Sequence, residues 1–182
     1  MPRYVAFLRA VNVGGRVVKM DWLRSVFEDL GFSNVETFIA SGNVVFETRS
    51  GAAAALEEKI EKRLGVELGY QVPVFLRTTA EVAEIAARRP FDEEAMREAK
   101  AFVVGLLKDA PDAGALEAAM ALRSEADDFR VVGREIYWSC RVNQSESKFT
   151  NAVFERKTKL AATFRGISTM EKLAGKYSAA AN

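Results

Sequence analysis

Hydrophobic positions in the first part of the chain change from the two-residue period of a strand to the longer period of a helix. Residues 3–11 alternate and predict a first strand, and one face of it would carry Val5, Phe7, Arg9 and Val11. Apolar residues then recur at helical spacing from Met20 to Leu30, and Gly31 is a stop signal. The chain therefore begins with a strand, a polar loop and a helix.

Two more strands and a second helix are predicted next. Strands at about 35–40 and 43–48 flank Ser41-Gly-Asn43, a hairpin turn in which the glycine can take a positive φ. Ser50 is a favourable N-cap residue, and the apolar residues that follow it at helical spacing predict a helix ending at Gly65.

A fourth strand and the helix behind it complete the first half. Residues 72–77 form an apolar run of strand character, in which Pro73 indicates an edge strand or a strand start. Thr78-x-x-Glu81 is a capping box, which predicts a helix from Thr79 that ends before Pro90. The first half is therefore β, α, β, β, α, β with one trailing helix.

The second half repeats this order. Its predicted elements are a strand at 101–107, a helix capped by Asp112, strands near 128–132 and 135–139, a helix through Phe149, Val153 and Leu160, a short strand at 163–165, and a helix opening at Ser168. Ser168-x-x-Glu171 is a second capping box, placed as Thr78-x-x-Glu81 is in the first half. An internal duplication accounts for the shared order.

The whole pattern predicts an α+β protein with two ferredoxin-like βαββαβ units in tandem, each with a trailing helix. The units are predicted at residues 1–90 and 91–182, joined at Pro90–Lys100, and they could pack as a single compact domain. Helices would cover one face of each antiparallel sheet. The other face would be free to pair with the other half, to bind a ligand or to form an oligomer.

Composition narrows the chemistry that is available. The 182 residues include no histidine and one cysteine, Cys140, which removes Ser-His-Asp and Cys-His catalysis, the common zinc sites and an intrachain disulfide. We therefore predict no metal and no cofactor, and the sequence favours a protein that is not an enzyme. No stretch resembles a signal peptide or approaches the roughly 20 apolar residues of a membrane span, which predicts a cytoplasmic protein without membrane association.

The charged residues are unevenly distributed although the formal net charge is +1. Residues 1–20 carry four basic side chains and no acidic one. Near the other end, the segment Glu155-Arg-Lys-Thr-Lys159, with Lys148 and Arg165, could contact a nucleic-acid backbone. A solvated helix face is the alternative interpretation, and the predicted strands lack the interleaved basic and aromatic residues that would support RNA binding.

The polar loop between the first strand and the first helix is the main candidate site. Gly14 and Gly15 would free backbone N–H groups near a helix N-terminus, where phosphate and carboxylate groups bind, and Arg16 and Lys19 add positive charge. The loop matches neither the Walker motif nor the dinucleotide fingerprint. In the competing interpretation, the glycines only let the chain turn and Asn12 satisfies local backbone groups.

Two further features could extend this site. The Ser41-Gly-Asn43 turn would form a small polar cleft with Thr37 if it lay beside the loop, and otherwise it is only a hairpin turn. Arg9 shares its predicted strand face with apolar residues, so burial would require a carboxylate partner or a bound anion. No catalytic residue is assigned, and the candidate ligand-binding residues are Arg9, Asn12, Gly14, Gly15, Arg16, Lys19, Ser41, Asn43 and Arg165.

These segments resemble a bacterial family known as domain of unknown function 1697. The resemblance is carried by Leu8-Arg9, Asn12-Val-Gly-Gly15, Lys19-Met20, Gly31, Val35, Thr37 and Ser41-Gly-Asn43. Where the family usually shows a Thr-Arg-Asn-Trp-Asn-Thr type segment before its last helix, Arg165 and Thr169 match and Gly166-Ile167 replaces Asn-Trp. The resemblance implies a cytoplasmic protein and gives no activity.

Three functions remain open at this point. The first is a non-catalytic or regulatory protein that binds an anion or a phosphate-bearing ligand at the loop after the first strand. The second is a nucleic-acid-binding module, and the third is a small enzyme acting on a phosphorylated metabolite. The oligomeric state is not predicted.

Overall fold

The computed structural model describes residues 1–12, 14–39, 42–49 and 51–177. The elements of the first half are β1 (Arg3–Leu8), α1 (Met20–Asp29), β2 (Ser33–Thr37), β3 (Asn43–Glu47), α2 (Ala53–Leu68), β4 (Val74–Thr78) and α3 (Thr79–Ala87). Those of the second half are α4 (Glu93–Glu98), β5 (Ala101–Leu107), α5 (Ala113–Met120), β6 (Asp127–Val132), β7 (Glu135–Cys140), a 3₁₀ turn (Gln144–Glu146), α6 (Asn151–Thr158), β8 (Ala162–Gly166) and α7 (Ile167–Tyr177).

Each half forms its own four-stranded sheet. The strand orders are β2-β3-β1-β4 and β6-β7-β5-β8, and every neighbouring pair is antiparallel. This is the ferredoxin-like order in duplicate, so the predicted α+β fold of two tandem βαββαβ units is confirmed. The internal contacts divide the chain into two units. The first unit consists of Met1–Glu84 and the segment that begins at Leu173, and the second consists of Ile85–Lys172. The sequence predicted units at 1–90 and 91–182.

Helices cover one face of each sheet. In the first unit, α1 and α2 bury Phe27 and Ile60 against β-strand residues that include Phe46, and the Phe32 and Phe46 rings stack with centroids 4.4 Å apart. In the second, Phe154 of α6 packs in a core with Phe129 and Trp138. Aromatic side chains therefore pack together with aliphatic ones in the core of each unit.

The face opposite the helices was predicted to pair with the other half, to bind a ligand or to form an oligomer, and its central positions are buried. Val5, Phe7 and Phe75 are completely buried in the first unit, as are Val104 and Tyr137 in the second. Strands that are buried on both faces carry nearly continuous apolar runs rather than a clean alternation. The runs Tyr-Val-Ala-Phe-Leu of β1 and Phe-Val-Val-Gly-Leu-Leu of β5 are of that kind.

Carboxylates from the neighbouring helix satisfy the outward backbone groups of both edge strands β4 and β8. Glu61 and Glu57 of α2 accept hydrogen bonds from the backbone N–H groups of Val74 and Leu76, both at 2.8 Å. In the second unit, Glu155 of α6 accepts from Ala162 N–H at 3.1 Å. Because buried backbone donors require partners, these carboxylates stabilise each edge.

A matching pair of arginines provides residue-level support for the duplication. Arg77 on β4 lies opposite Val5 of the central strand, and Arg165 on β8 lies opposite Val104. Each guanidinium donates from Nη1 to the carbonyl of the preceding residue, at 2.8 and 2.9 Å. The two halves therefore share side-chain positions as well as strand order.

Several element boundaries differ from those that the sequence predicted. The first strand ends at Leu8 rather than residue 11, because Ala10 adopts a left-handed φ of 55° and turns the chain. Helix α2 continues through Gly65, and Gly69 with a φ of 75° caps it instead. The predicted N-cap Ser50 lies outside the described residues.

In the second half, the capping box predicted at Ser168-x-x-Glu171 does not form. Helix α7 already begins at Ile167, and the Glu171 carboxylate pairs with Arg89 at 2.7 Å. Helix α6 is shorter than predicted because Thr150 caps it and Lys159 ends it in a left-handed conformation. The predicted join at Pro90–Lys100 contains α4, capped by Asp92. By contrast, the Thr78–Glu81 box forms with bonds of 2.7 and 3.1 Å, and Asp112 caps α5 as predicted.

The end of α7 is tied to the first unit through Glu36. Its carboxylate accepts hydrogen bonds from Lys176 Nζ and the Tyr177 hydroxyl, both at 2.8 Å. These bonds, that of Lys176 first, lower the pKa of Glu36 below its ordinary value of 4.5.

The Glu36 pKa shift predicts a pH-dependent contribution to stability. A lowered pKa in the folded state means that the contribution is present above about pH 4.5 and is lost as the pH falls through the folded pKa. Because the Glu36 side chain is half exposed, we expect Glu36→Gln to lower the free energy of unfolding by only about 0.2–1 kcal/mol at pH 7. Urea unfolding between pH 7 and 3 should show this difference shrinking in acid, and a constant difference would contradict the assignment.

Among the described residues, no helix combines the length and the apolar character that a bilayer span requires.

Candidate functional site

Left-handed residues and side-chain hydrogen bonds shape the loop between β1 and α1. Gly14 and Gly15 have φ values of 68° and 79°, and a Cβ at either position would meet nothing within 4 Å. Their glycine identity therefore serves the backbone conformation and not close packing. The Asn12 Oδ1 accepts a hydrogen bond from Val18 N–H at 2.8 Å, which closes the loop and gives Asn12 the structural role that was its alternative interpretation.

Arg16 and Lys19, two cationic residues of this loop, lie in different environments. The Arg16 guanidinium lies over the Tyr70 ring, 3.9 Å from its centroid, and the Tyr70 hydroxyl donates to the Val11 carbonyl at 3.3 Å. Lys19 is exposed and is the N-cap of α1, where it supplies no side-chain hydrogen bond to the first turn. The first-turn N–H groups of α1 therefore lie next to the loop without an acceptor from the N-cap side chain.

The β2–β3 turn contacts the same loop. The Gly42 carbonyl accepts from Leu8 N–H at 2.8 Å, at the end of β1. A Cβ on Gly42 would lie 2.8 Å from Val11 Cγ1 and 3.2 Å from Leu8 Cβ, so the backbone of the turn touches the start of the loop. The two glycine-containing segments are therefore neighbours, which the sequence had left open.

Within the turn, the structure describes the side chain of Asn43, and it is directed inward. Asn43 is completely buried, and its Nδ2 donates to the Phe38 carbonyl at 3.0 Å, across the hairpin. Ile39 has a φ of 55°, which is unusual for a β-branched residue. Ser41 lies outside the described residues, so its predicted role stays a prediction.

Arg9 does not lie on the strand face that the sequence predicted, whereas the predicted ligand-binding role of Arg165 stays a prediction. Arg9 follows β1 instead of sharing its face with Val5 and Phe7, and its backbone N–H donates to the Pro73 carbonyl at 3.0 Å. Arg165 belongs to the other unit, where its Nη1 donates to the Thr163 hydroxyl at 2.8 Å. Burial lowers the pKa of the Arg165 guanidinium to about 10, so it remains protonated at neutral pH.

The remaining candidate chemistry is limited. Cys140 is buried, donates to the Val142 carbonyl at 3.0 Å, and has a thiol whose pKa is raised mainly by burial. A raised pKa disfavours the reactive thiolate. Among the described residues no group of three or more carboxylate or thiol side chains is arranged to hold a metal ion.

Sequence reasoning missed two residues that the structure makes prominent. The Tyr70 ring lies beneath the Arg16 guanidinium. Tyr70 follows the end of α2, where no hydrophobic period predicts the direction of a side chain. Asp127 is a buried carboxylate in the second unit, and in the sequence it lies in the acidic run Glu125-Ala-Asp-Asp128. Acidic runs are usually solvated, so composition alone gave no signal for it.

Comparison with known proteins gives a family and a fold. The family described as Protein of unknown function (DUF1697) matches residues 1–137. A solved structure, that of the conserved bacterial protein SP0830 from Streptococcus pneumoniae, superposes with a TM-score of 0.74 at 24% sequence identity, covering 98% of this chain and 99% of that one. No curated protein matches the sequence. At this level of identity the solved structure supports the fold alone.

Proposed function

The chain belongs to the DUF1697 family of proteins of unknown function, and from that premise we propose that it is a non-catalytic cytoplasmic protein that binds a small anion. The ligand class is a phosphate or phosphate-bearing compound. Its site is the β1–α1 loop with the adjoining β2–β3 turn. Arg16 and Lys19 supply the positive charge, and the first turn of α1 supplies backbone N–H groups.

The observation that carries this proposal is the contact between Gly42 and the start of the loop. With the Gly42 carbonyl 2.8 Å from Leu8 N, two glycine-containing segments that are more than 25 residues apart in sequence share one end of the sheet. Backbone N–H groups near a helix N-terminus favour anionic groups, and cations in the same loop add to that field. Residues 9–20 contain three cationic side chains and no acidic one, which keeps the field positive.

Pyrophosphate and inorganic phosphate are suitable probes, each titrated at low salt by thermal shift and calorimetry. We expect the Arg16→Ala/Lys19→Ala double variant to lose at least tenfold in pyrophosphate affinity. A matched control is Arg49→Ala/Lys62→Ala, which removes the same charge from exposed positions beyond the far end of β3 and on α2. At 100 times its dissociation constant, a ligand stabilises by about 2.7 kcal/mol, which is a readable shift of several degrees.

Two results on the variants would overturn the proposal. One is unchanged affinity in the Arg16→Ala/Lys19→Ala variant, and the other is an equal loss in the control, which would indicate general charge attraction. Absence of any shift with either probe at millimolar concentration would also reject a phosphate site.

The nucleic-acid alternative has weaker support. Ferredoxin-like RNA-binding domains stack bases on aromatic side chains of the uncovered sheet face. Three aromatic residues of that face, Phe7, Phe75 and Tyr137, are completely buried, and Phe102 is partly buried. The basic segment Glu155–Lys159, with Lys148 and Arg165, is then the main candidate for contacts with a nucleic acid.

A further inference from the structure

A second candidate site lies in the unit formed by residues 85–172. A cavity of about 580 Å³ opens between the segment that follows α5 and the segment that runs from the end of β7 into α6. This volume falls in the range of small-molecule sites, which is about 300–1,000 Å³. Its apolar walls include Ala121, Leu122, Val142, Phe149 and Val153.

Asp127 forms the polar floor of this cavity. The residue is only 4% exposed and lines the cavity together with Ser124 and Ser147. Its carboxylate accepts hydrogen bonds from Trp138 Nε1 at 2.8 Å, from the Ser147 hydroxyl at 2.8 and 2.9 Å, and from the Ser124 hydroxyl at 3.2 Å. All of these donors are neutral, so in the described part of the chain no cation contacts this buried charge.

The carboxylate also keeps acceptor capacity. The Ser147 hydroxyl lies within hydrogen-bonding distance of both carboxylate oxygens but carries one proton, so it serves one oxygen at a time. The Cys140 thiol also lies at this carboxylate, but it donates its single proton to the Val142 carbonyl. The indole N–H and the two hydroxyl protons therefore meet a group that offers about four lone-pair sites, which leaves one site for a donor from the cavity.

The charges around the cavity favour a cation. Three carboxylates line it, those of Glu125, Asp127 and Glu146, against the single ammonium group of Lys148. A cavity with low-dielectric walls and an excess of one sign concentrates ligands of the opposite sign.

We propose that this cavity is a binding site for a small primary amine with a compact apolar body. The protonated amine donates to the Asp127 carboxylate, and the apolar body lies between Leu122, Phe149 and Val153. This site is independent of the proposed anion site, since all of its residues belong to the second unit.

Benzylamine is the probe, with benzyl alcohol and benzoate as neutral and anionic analogues of the same shape. The chain has two tryptophans, and Trp138 Nε1–H donates directly to Asp127 whereas Trp22 lies on α1 of the first unit. Proton–nitrogen correlation spectra should therefore show benzylamine moving the Trp138 indole signal and leaving the Trp22 signal in place. A Trp22→Phe variant assigns the two signals.

Two variants and a control sharpen the test. Asp127→Asn removes the charge, and Val153→Trp fills the cavity without touching the charge; each should weaken benzylamine binding at least tenfold. Glu117→Gln removes an exposed carboxylate of α5 that does not line the cavity, and it should change the affinity less than twofold. If Asp127→Asn does not fold, the affinity of Val153→Trp for benzylamine decides whether the cavity is the binding site.

The proposal is overturned if benzylamine leaves the Trp138 signal unmoved, if benzyl alcohol or benzoate binds as well as benzylamine, or if Val153→Trp retains full affinity.

Discussion

Asp127→Ala is expected to lower the free energy of unfolding by about 3–4 kcal/mol, measured by urea denaturation. The substitution removes the acceptor of Trp138 Nε1, an indole N–H whose residue is only 5% exposed, together with that of the Ser147 and Ser124 hydroxyls. A buried donor without a partner costs about 1–3 kcal/mol, and the two lost hydroxyl bonds add about 1 kcal/mol each at most. The serines can turn toward solvent, which keeps the total below the maximum of about 5 kcal/mol that these contributions allow.

The neighbouring residue provides the control. Asp128 makes exposed ion pairs with Arg123 and Arg130, at 3.0 and 2.8 Å, so Asp128→Ala should cost about 0–1 kcal/mol. Replacing Trp138 by Phe removes the same hydrogen bond from the other side, and the double variant should show a coupling energy with Asp127→Ala. Equal losses in Asp127→Ala and Asp128→Ala would contradict the central role of the buried carboxylate.

The second large effect is expected at Gly42, where both conformation and space exclude a side chain. Gly42→Ala places a residue with a Cβ at a φ of 81° and brings that Cβ to 2.8 Å from Val11 Cγ1. The left-handed conformation costs about 1–2 kcal/mol and the overlap about 1–3 kcal/mol, so a loss of about 2–5 kcal/mol in unfolding free energy is expected.

Gly14→Ala separates the two causes. Gly14 has a φ of 68° and open space around its Cβ direction, so only the conformational cost of about 1–2 kcal/mol applies there. Val11→Ala removes the methyl group that Gly42→Ala would overlap, so the added cost of Gly42→Ala should fall in that background. The close approach would be contradicted if Gly42→Ala and Gly14→Ala were equally destabilising and Val11→Ala made no difference.

Strand order was readable from the sequence because local pattern and topology agree. The period of residues 101–107 gave β5 with its correct ends, and the βαββαβ order placed the end of β1 beside the start of β3. That neighbourhood follows from connectivity alone, and the Leu8–Gly42 hydrogen bond confirms it. Topology thus predicted which loops meet.

Backbone conformation and long-range polar contacts could not be predicted from the sequence. The residue type does not predict the left-handed conformation of Ala10. That conformation ends β1 and places Arg9 outside the predicted strand face. Either Gly65 or Gly69 could have ended α2, and tertiary packing let the helix continue through the first. The donors to Asp127 lie 3, 11 and 20 residues away, so no short motif contains them.

The carboxylates along β4 also limit how another protein can join this sheet. A peptide that lengthens a sheet does so by pairing with the outward backbone groups of an edge strand. At β4 the Val74 and Leu76 donors are already bound to Glu61 and Glu57, and at β8 Glu155 and Asn151 hold the N–H and carbonyl of Ala162. Strand addition at these two edges would first have to displace those side chains, so a protein partner is expected to recognise side-chain surfaces there instead.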